Sequence, residues 1–491
     1  MIPKPFSETL LPGSCRIPER VVFQVGTASD CTDAQGLSPK ETQLFGDYLL
    51  HYIKTLRDQF GYAPPAGEIS VRMTNHSEAS SEDESYTLEI EPGGMSIEAP
   101  SMIGARQGYQ SLLQLIYAAI KDNSGSIPCR AIKDHPRYTW RGLHLDVSRH
   151  FFDEDFIIQY LEWMEALKLN RFHWHLSDDQ GWRLESERFP DLHEKGAWRV
   201  EADGSTYGGY YPKDQIKRIV DYASSMGIEV IPEIDIPGHA QAILAAYPHL
   251  ACFPDDFSCL NVWGISDNIL CAGNDAVLIF LEELLSEVAK LFPGRYIHLG
   301  GDEAPKDKWK LCPQCQARIK SEGLKDEEEL QSWLLKRLTL HLKTLGKEVI
   351  GWDEILDGDI DTEPIVMVWR GDGKDAARKA HQNGNRYILC PNSYLYFDWK
   401  QSSAPGEQGA HGVSTLANVY GYEPGDCESE DPALLLGAQA NVWTEYMHDP
   451  NEVKHMLFPR IYALAEMLWS PQSQRDWDDF LIRLKALEGY L

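Results

Sequence analysis

Two kinds of hydrophobic pattern divide the chain. Beyond residue 133, short apolar runs at 142–147, 171–176, 229–234, 296–299, 348–351, 365–369, 387–390 and 434–442 alternate with longer stretches of helical period at 156–167, 215–225, 277–291 and 330–345. Strands covered on both faces read as continuous apolar runs, and eight of them in strand-then-helix order is the count of a (β/α)8 barrel. An open, doubly wound α/β sheet would need a glycine-rich phosphate loop after an early strand, and the sequence has none.

Residues 1–132 carry a different pattern, that of a small α/β domain of sheet plus helices. A strand is expected at 21–25, and Ser38-Pro39-Lys40-Glu41 is a capping box that opens a helix with Leu44, Phe45, Tyr48, Leu49, Tyr52 and Ile53 on one face. Ile69, Val71 and Met73 alternate as a strand. The runs 86–90 and 95–99 flank Glu91-Pro92-Gly93-Gly94, a hairpin signal, and a second helix passes through Leu112, Leu113, Leu115 and Ile116. No titratable groups gather here, so an accessory role is expected. A polar linker at 121–126 and Asp134-His135-Pro136 lead into the barrel, taken as 133–491.

Composition narrows the partners. The 491 residues are 43% hydrophobic and 25% charged, enough for a barrel with an accessory domain. A formal net charge of −29 opposes nucleic acid and acidic membrane surfaces, whereas an uncharged substrate meets no such barrier. No apolar run approaches the roughly 18 residues of a membrane span. Met1-Ile2-Pro3-Lys4-Pro5-Phe6-Ser7 has no apolar signal segment, so a cytoplasmic protein is expected, as monomer or homodimer. Ten cysteines are too scattered for a disulfide scaffold. Cys312 and Cys315 have zinc or redox spacing, but no second pair or nearby histidine completes a four-ligand site, so no metal or cofactor is expected.

The stretch that carries chemistry is Tyr296-Ile297-His298-Leu299-Gly300-Gly301-Asp302-Glu303-Ala304-Pro305. Neighbours on a regular strand face opposite ways, so Asp302 and Glu303 share a site only where the strand breaks. Gly300 and Gly301 supply that freedom, and Pro305 ends ladder pairing. The plain alternative is a turn whose acids cap the next helix. The other expected strand ends tip the balance, because barrel active sites gather there. They read Asp146-Val147-Ser148-Arg149-His150, Ser177-Asp178-Asp179-Gln180, Asp235-Ile236-Pro237-Gly238-His239, Trp352-Asp353-Glu354, Trp369-Arg370, Tyr396-Phe397-Asp398 and Trp443-Thr444-Glu445. Tryptophans with acids between them suit a sugar, whose C–H faces stack on rings while its hydroxyls pair with carboxylates.

Five motifs carry a resemblance over both halves of the chain. They are Trp140-Arg141-Gly142 with Asp146, His173-Trp174-His175-Leu176-Ser177-Asp178-Asp179-Gln180-Gly181-Trp182, Pro237-Gly238-His239, His298-Leu299-Gly300-Gly301-Asp302-Glu303 and Trp443-Thr444-Glu445. Through them the sequence resembles the family 20 glycoside hydrolases, the β-N-acetylhexosaminidases. The resemblance implies removal of terminal β-linked GlcNAc or GalNAc with retention, the substrate's own acetamido group acting as nucleophile. It implies Glu303 as general acid and base, Asp302 as the group that holds the acetamido, and Tyr396 as donor to its carbonyl. Trp352, Trp369 and Trp443 would wall that pocket, and Arg141, Asp398 and Glu445 would bind hydroxyls, with Asp178 and His239 close by. His298 and Asp179 would orient Glu303. Either histidine also fits a buried structural role, and Asp146 and Asp235 are taken as structural carboxylates that fix loops.

Two other readings stay open. A retaining β-glycosidase with a protein nucleophile would need a second carboxylate about 5 Å from Glu303, with Glu445 the candidate. A carbohydrate-binding barrel without turnover would be expected to lack Asp302, Glu303 or Tyr396, and all three are present.

Overall fold

The computed structural model describes residues 1–17, 20–25, 68–73, 82–426 and 433–491. These form two compact units, one of Met1–Thr139, Glu165–Lys168 and Ala465–Leu491, the other of Trp140–Met164 and Leu169–Leu464.

The first unit is built on a six-stranded sheet of β1 (Ser7–Arg16), β2 (Arg20–Val25), β3 (Glu68–Met73), β4 (Tyr86–Glu91), β5 (Gly94–Ala99) and β6 (Ser126–Asp134), in the order β1-β6-β4-β5-β3-β2. β4 and β5 are the expected hairpin, and Tyr86, Leu88 and Ile90 alternate into the core. Helix Met102–Lys121 packs on that face, its start fixed by the Ser101 side chain accepting from the Gly104 amide. Gly108 permits the close approach, since a Cβ there would meet Ile97 and Tyr86. The helix expected after Ser38 lies outside the described residues. β6 occupies part of what reads as linker, and the expected boundary at 132 falls within it.

The second unit is a closed barrel of eight parallel strands: β7 (Trp140–Asp146), β8 (Arg171–His175), β9 (Glu229–Glu233), β10 (Tyr296–His298), β11 (Glu348–Trp352), β12 (Ile365–Val368), β13 (Tyr387–Leu389) and β14 (Leu435–Ala440). All eight lie where the apolar runs place them. Every residue of β7 is buried, as a strand covered on both faces requires. Helix Lys213–Ser225 buries Ile216, Ile219, Val220 and Ala223, the i, i+3, i+4, i+7 stripe of a helix packed on a sheet. Asp326 starts helix Glu327–Thr344 by accepting from the Glu328 and Glu329 amides.

Trp140, Ile231, Tyr296, Ile350, Met367 and Ile388 fill the barrel interior. At the C-terminal strand ends this core gives way to a buried polar layer. Glu233, the last residue of β9, lies 2.5 Å from His175 Nδ1, 3.0 Å from His173 Nε2 and 3.0 Å from His298 Nδ1, and accepts from the Trp352 indole at 2.8 Å. Among the described residues, no helix is long and apolar enough to cross a membrane.

Candidate active site

The strand break at the end of β10 takes the form its glycines imply. Gly300 and Gly301 adopt φ of +67° and +98°, and Glu303 itself adopts +44°. A Cβ on Gly300 would collide with the Asp235 carboxylate, so only glycine fits there. The left-handed backbone of Glu303 costs about 1–3 kcal/mol, a strain that persists where the surroundings impose it. Asp302 and Glu303 thereby face one cleft of about 390 Å³ that opens to solvent.

Aromatic rings wall this cleft. Trp369 and Tyr396 stack with centroids 6.1 Å apart, and Trp443 packs 6.3 Å from Tyr396 at 52°. The Trp369 indole donates to Glu354 at 2.8 Å. Burial holds the Tyr396 hydroxyl well above its usual range, so it remains a hydrogen-bond donor.

Charge is distributed unevenly among the acids. Burial, with Asp302 and Asp353 adding repulsion, raises Glu354 to about 9, so it is protonated at neutral pH. Burial and then Asp302 likewise push Asp235 well up. Asp302 rises to about 6, chiefly through burial, with His239 opposing the rise and Glu233 and Glu303 adding to it. At pH 7 Asp302 is therefore mostly ionised. Its Oδ1 is buried with no hydrogen-bond partner among the described residues, as is Asp398 Oδ1.

His239, also left-handed at φ +46°, joins the acids. Its Nδ1 lies 3.0 Å from Asp178 Oδ1 and its Nε2 3.6 Å from Glu303 Oε2. Burial opposes a charge on this ring, but Asp178 and Asp235 outweigh it and hold the pKa well above the usual histidine value. Asp178 stays ionised despite burial because Arg149, 2.9 Å away, and His239 face it.

Comparison with known sequences adds lineage to this geometry. The profile described as glycosyl hydrolase family 20, catalytic domain, matches residues 138–472, and that for family 20, domain 2, matches residues 2–135. The chain belongs to glycosyl hydrolase family 20. A β-hexosaminidase of Porphyromonas gingivalis is 40% identical over 463 residues, covering 92% of this chain and 59% of the relative. One of Vibrio furnissii is 36% identical over 396 residues, 77% of this chain and 64% of the relative. The chain thus spans about 60% of the length of these relatives. Among solved structures, a mutant Streptomyces plicatus β-hexosaminidase in complex with product GlcNAc superposes with a TM-score of 0.84 at 31% identity, covering 100% of this chain and 94% of that one.

In this family 20 barrel Asp302, Glu303, Tyr396, Asp178, His239, Trp369, Asp398, Trp443 and Glu445 all line the cleft. Three expected positions need correction. Arg141 is the second residue of β7, five residues before Asp146, roughly 16 Å short of the C-terminal rim at the rise of a strand. It is fully buried, and its amide bonds to Asn170 Oδ1. The arginine in the cleft is Arg149, positioned by Asp146, which accepts from the Arg149 amide at 3.1 Å. Trp352 lies beneath the lining, 1% exposed, bonded to Glu233 and packed 5.9 Å from Trp443. His298 contacts Glu233 and the Gly300 amide instead of Glu303, so the ring beside the acid is that of His239. Asp179 keeps a contact with that ring at 3.6 Å and accepts from the Gln241 amide.

Several lining residues were not singled out by sequence reasoning. Trp263 and Ile265 come from the long connection after β9, and Trp399 and His411 from the one after β13. Asp235, taken as structural, also lines the cleft while its Oδ1 accepts from the Gly301 amide at 3.2 Å. The absence of a four-ligand site is overturned too. Cys252 and Cys271, far apart along the chain, bring their sulfurs to those of Cys312 and Cys315, all within 4.8 Å of one another.

Proposed function

We propose that the chain is an exo-acting β-N-acetylhexosaminidase that removes terminal, non-reducing β-linked GlcNAc or GalNAc with retention, through substrate assistance. The observation that carries this reading is one cleft lined by the rings of Trp369, Tyr396 and Trp443 together with Glu303 and Asp302, whose buried Oδ1 has no hydrogen-bond partner among the described residues. An N-acetyl group fits those features: its methyl meets the rings, its N–H donates to Asp302, and its carbonyl accepts from Tyr396. The carbonyl oxygen attacks the anomeric carbon as Glu303 gives its proton to the departing oxygen, forming a cationic oxazolinium ring. Asp302 stabilises that charge, and tethering of the nucleophile to the substrate removes most of the entropic barrier. Glu303 then takes a proton from the water that opens the ring. Arg149, Asp398 and Glu445 would pair with ring hydroxyls, and Ala410 and His411, which line the cleft, support a role for the connection after β13 on the aglycone side. The Streptomyces plicatus complex with GlcNAc supports a sugar of this class. A cytoplasmic location and a monomer or homodimer belong to the same proposal, for cell fractionation and light scattering to test.

The deciding assay pairs an aryl β-N-acetylglucosaminide with the matching aryl β-glucoside. Rapid cleavage of the first alone, with the β-anomer released first, is expected. Comparable cleavage of both would remove the acetamido group from the mechanism and turn attention to Glu445 as nucleophile. Binding without cleavage would leave a carbohydrate-binding barrel.

Three further outcomes are expected. Arg149→Lys should raise KM about 10-fold or more, since an ammonium cannot reproduce the guanidinium fork. Arg141→Lys, buried at the far strand end, should lower the thermal midpoint and leave KM near the parent value. The profile of kcat/KM should also fall as pH drops through about 6, where Asp302 takes up its proton and loses the anion that the oxazolinium needs. A profile flat to pH 4.5 would contradict that role.

A further inference from the structure

We propose that Cys252, Cys271, Cys312 and Cys315 bind one Zn2+ as a closed tetrathiolate site that staples the connection after β9 to the connection after β10. The Sγ atoms of Cys252 and Cys315 lie 3.7 Å apart, those of Cys271 and Cys312 3.7 Å, and those of Cys271 and Cys315 3.6 Å. Zinc–sulfur bonds of about 2.3 Å in a tetrahedron set sulfurs roughly 3.8 Å apart, whereas a disulfide needs about 2.05 Å. Cys271 is equally close to two sulfurs, the arrangement of a shared centre and not of two pairs. Four soft sulfurs with no open position favour a structural zinc.

The backbone is shaped around this cluster. Ala251 bridges Leu270 antiparallel, and the Cys271 amide donates to the Leu250 carbonyl at 2.9 Å, which sets Cys252 and Cys271 side by side. Cys312 and Cys315 flank the start of helix Pro313–Glu322, where Pro313 occupies a position that needs no amide donor. Gly273 sits against them with no room for a Cβ, which would collide with the Gln314–Cys315 peptide. On binding, the four thiols release four protons and the zinc thiolate carries a net charge of −2.

The staple lies near the cleft. The connection after β9 carries His239 and Trp263, and the one after β10 carries Asp302 and Glu303. Two hydrogen bonds already link them to the cluster: the Leu270 amide donates to the Pro237 carbonyl at 3.1 Å, and the Trp309 indole to the Leu270 carbonyl at 2.9 Å. The metal would keep His239 and Glu303 in register without touching substrate. The site stands on sulfur geometry and is independent of the activity proposed above.

The test is elemental analysis of the full chain, purified under reducing conditions without an immobilised-metal column. Close to one zinc per chain is expected, with Cys312→Ser/Cys315→Ser losing it and melting at lower temperature. Exchange into Co2+ should give the intense visible bands of a tetrahedral cobalt thiolate. If the double variant fails to fold, the metal content and cobalt spectrum of the parent protein still decide. Less than a tenth of an equivalent after reconstitution with zinc, iron in place of zinc, or disulfides linking these cysteines in the reduced preparation would each overturn the assignment.

Discussion

Asp302→Asn is expected to lower kcat on an aryl β-N-acetylglucosaminide by roughly 10²–10³-fold, the scale of losing one aligned electrostatic partner of a developing charge. KM should change far less, because the amide keeps the shape of the carboxylate and the ring walls remain. The same substitution should stabilise the fold at pH 7. Burial, the first cause, lifts the Asp302 carboxyl from 3.8 to about 6, so the folded chain holds this proton more tightly than the unfolded chain does. A raised acid pKa means that stability declines as pH rises from about 4 to about 6, and the penalty is in full force above that. Removing the charge should therefore return on the order of 2 kcal/mol at pH 7 and nothing near pH 3. Calorimetry at both pH values, beside steady-state kinetics, checks the pair of outcomes. A variant that keeps kcat, or melts earlier at pH 7, would show that Asp302 is structural.

The trade between stability and chemistry has a visible origin. Burial and then Asp302 raise Glu354 to about 9, so it is neutral at pH 7, and the same two causes push Asp235 well up, while Asp302 itself stays mostly ionised. The Asp302 carboxylate, with His239 Nε2 3.8 Å from its Oδ2, is placed to stabilise the cationic oxazolinium proposed above as it forms in the transition state.

Much of this was legible in the sequence, for reasons that differ by element. Barrel strands are covered on both faces and so appear as unbroken apolar runs, which located all eight. Gly300-Gly301 announced the strand break because no other residue tolerates that backbone beside Asp235. β1 was not legible because it exposes nearly every side chain, leaving no alternation to read. β6 was missed because Pro128 and scattered charges obscure its period, although Ile127, Cys129 and Ile132 are buried. The arginine was misplaced because the motif Trp140-Arg141-Gly142 was weighed as a string. In a parallel barrel only the C-terminal end of a strand meets the site, and counting from that end selects Arg149. Trp263, Trp399 and the Cys252–Cys271 pair come from long connections without period, so only the folded chain brings them together.

Glu303→Gln should give a loss that depends on the leaving group, and this separates it from every other variant of the site. An alkoxide-like aglycone must be protonated as it departs, so its hydrolysis should fall about 10²–10⁴-fold when the acid is replaced. A dinitrophenolate leaves without a proton, and for it the first step should survive nearly intact. The second step still needs a base to activate water, so the intermediate should accumulate and appear as a burst. The amide also tolerates the φ of +44° no worse than the parent residue, so the fold should be undisturbed. Asp302→Asn, by contrast, removes stabilisation of the oxazolinium itself and should slow both substrates alike. Crossing the two variants with the two substrates thus assigns the roles without any structure of a complex. Equal losses for Glu303→Gln on both substrates would mean that Glu303, despite its place at the mouth of the cleft 3.6 Å from His239, is not the proton donor.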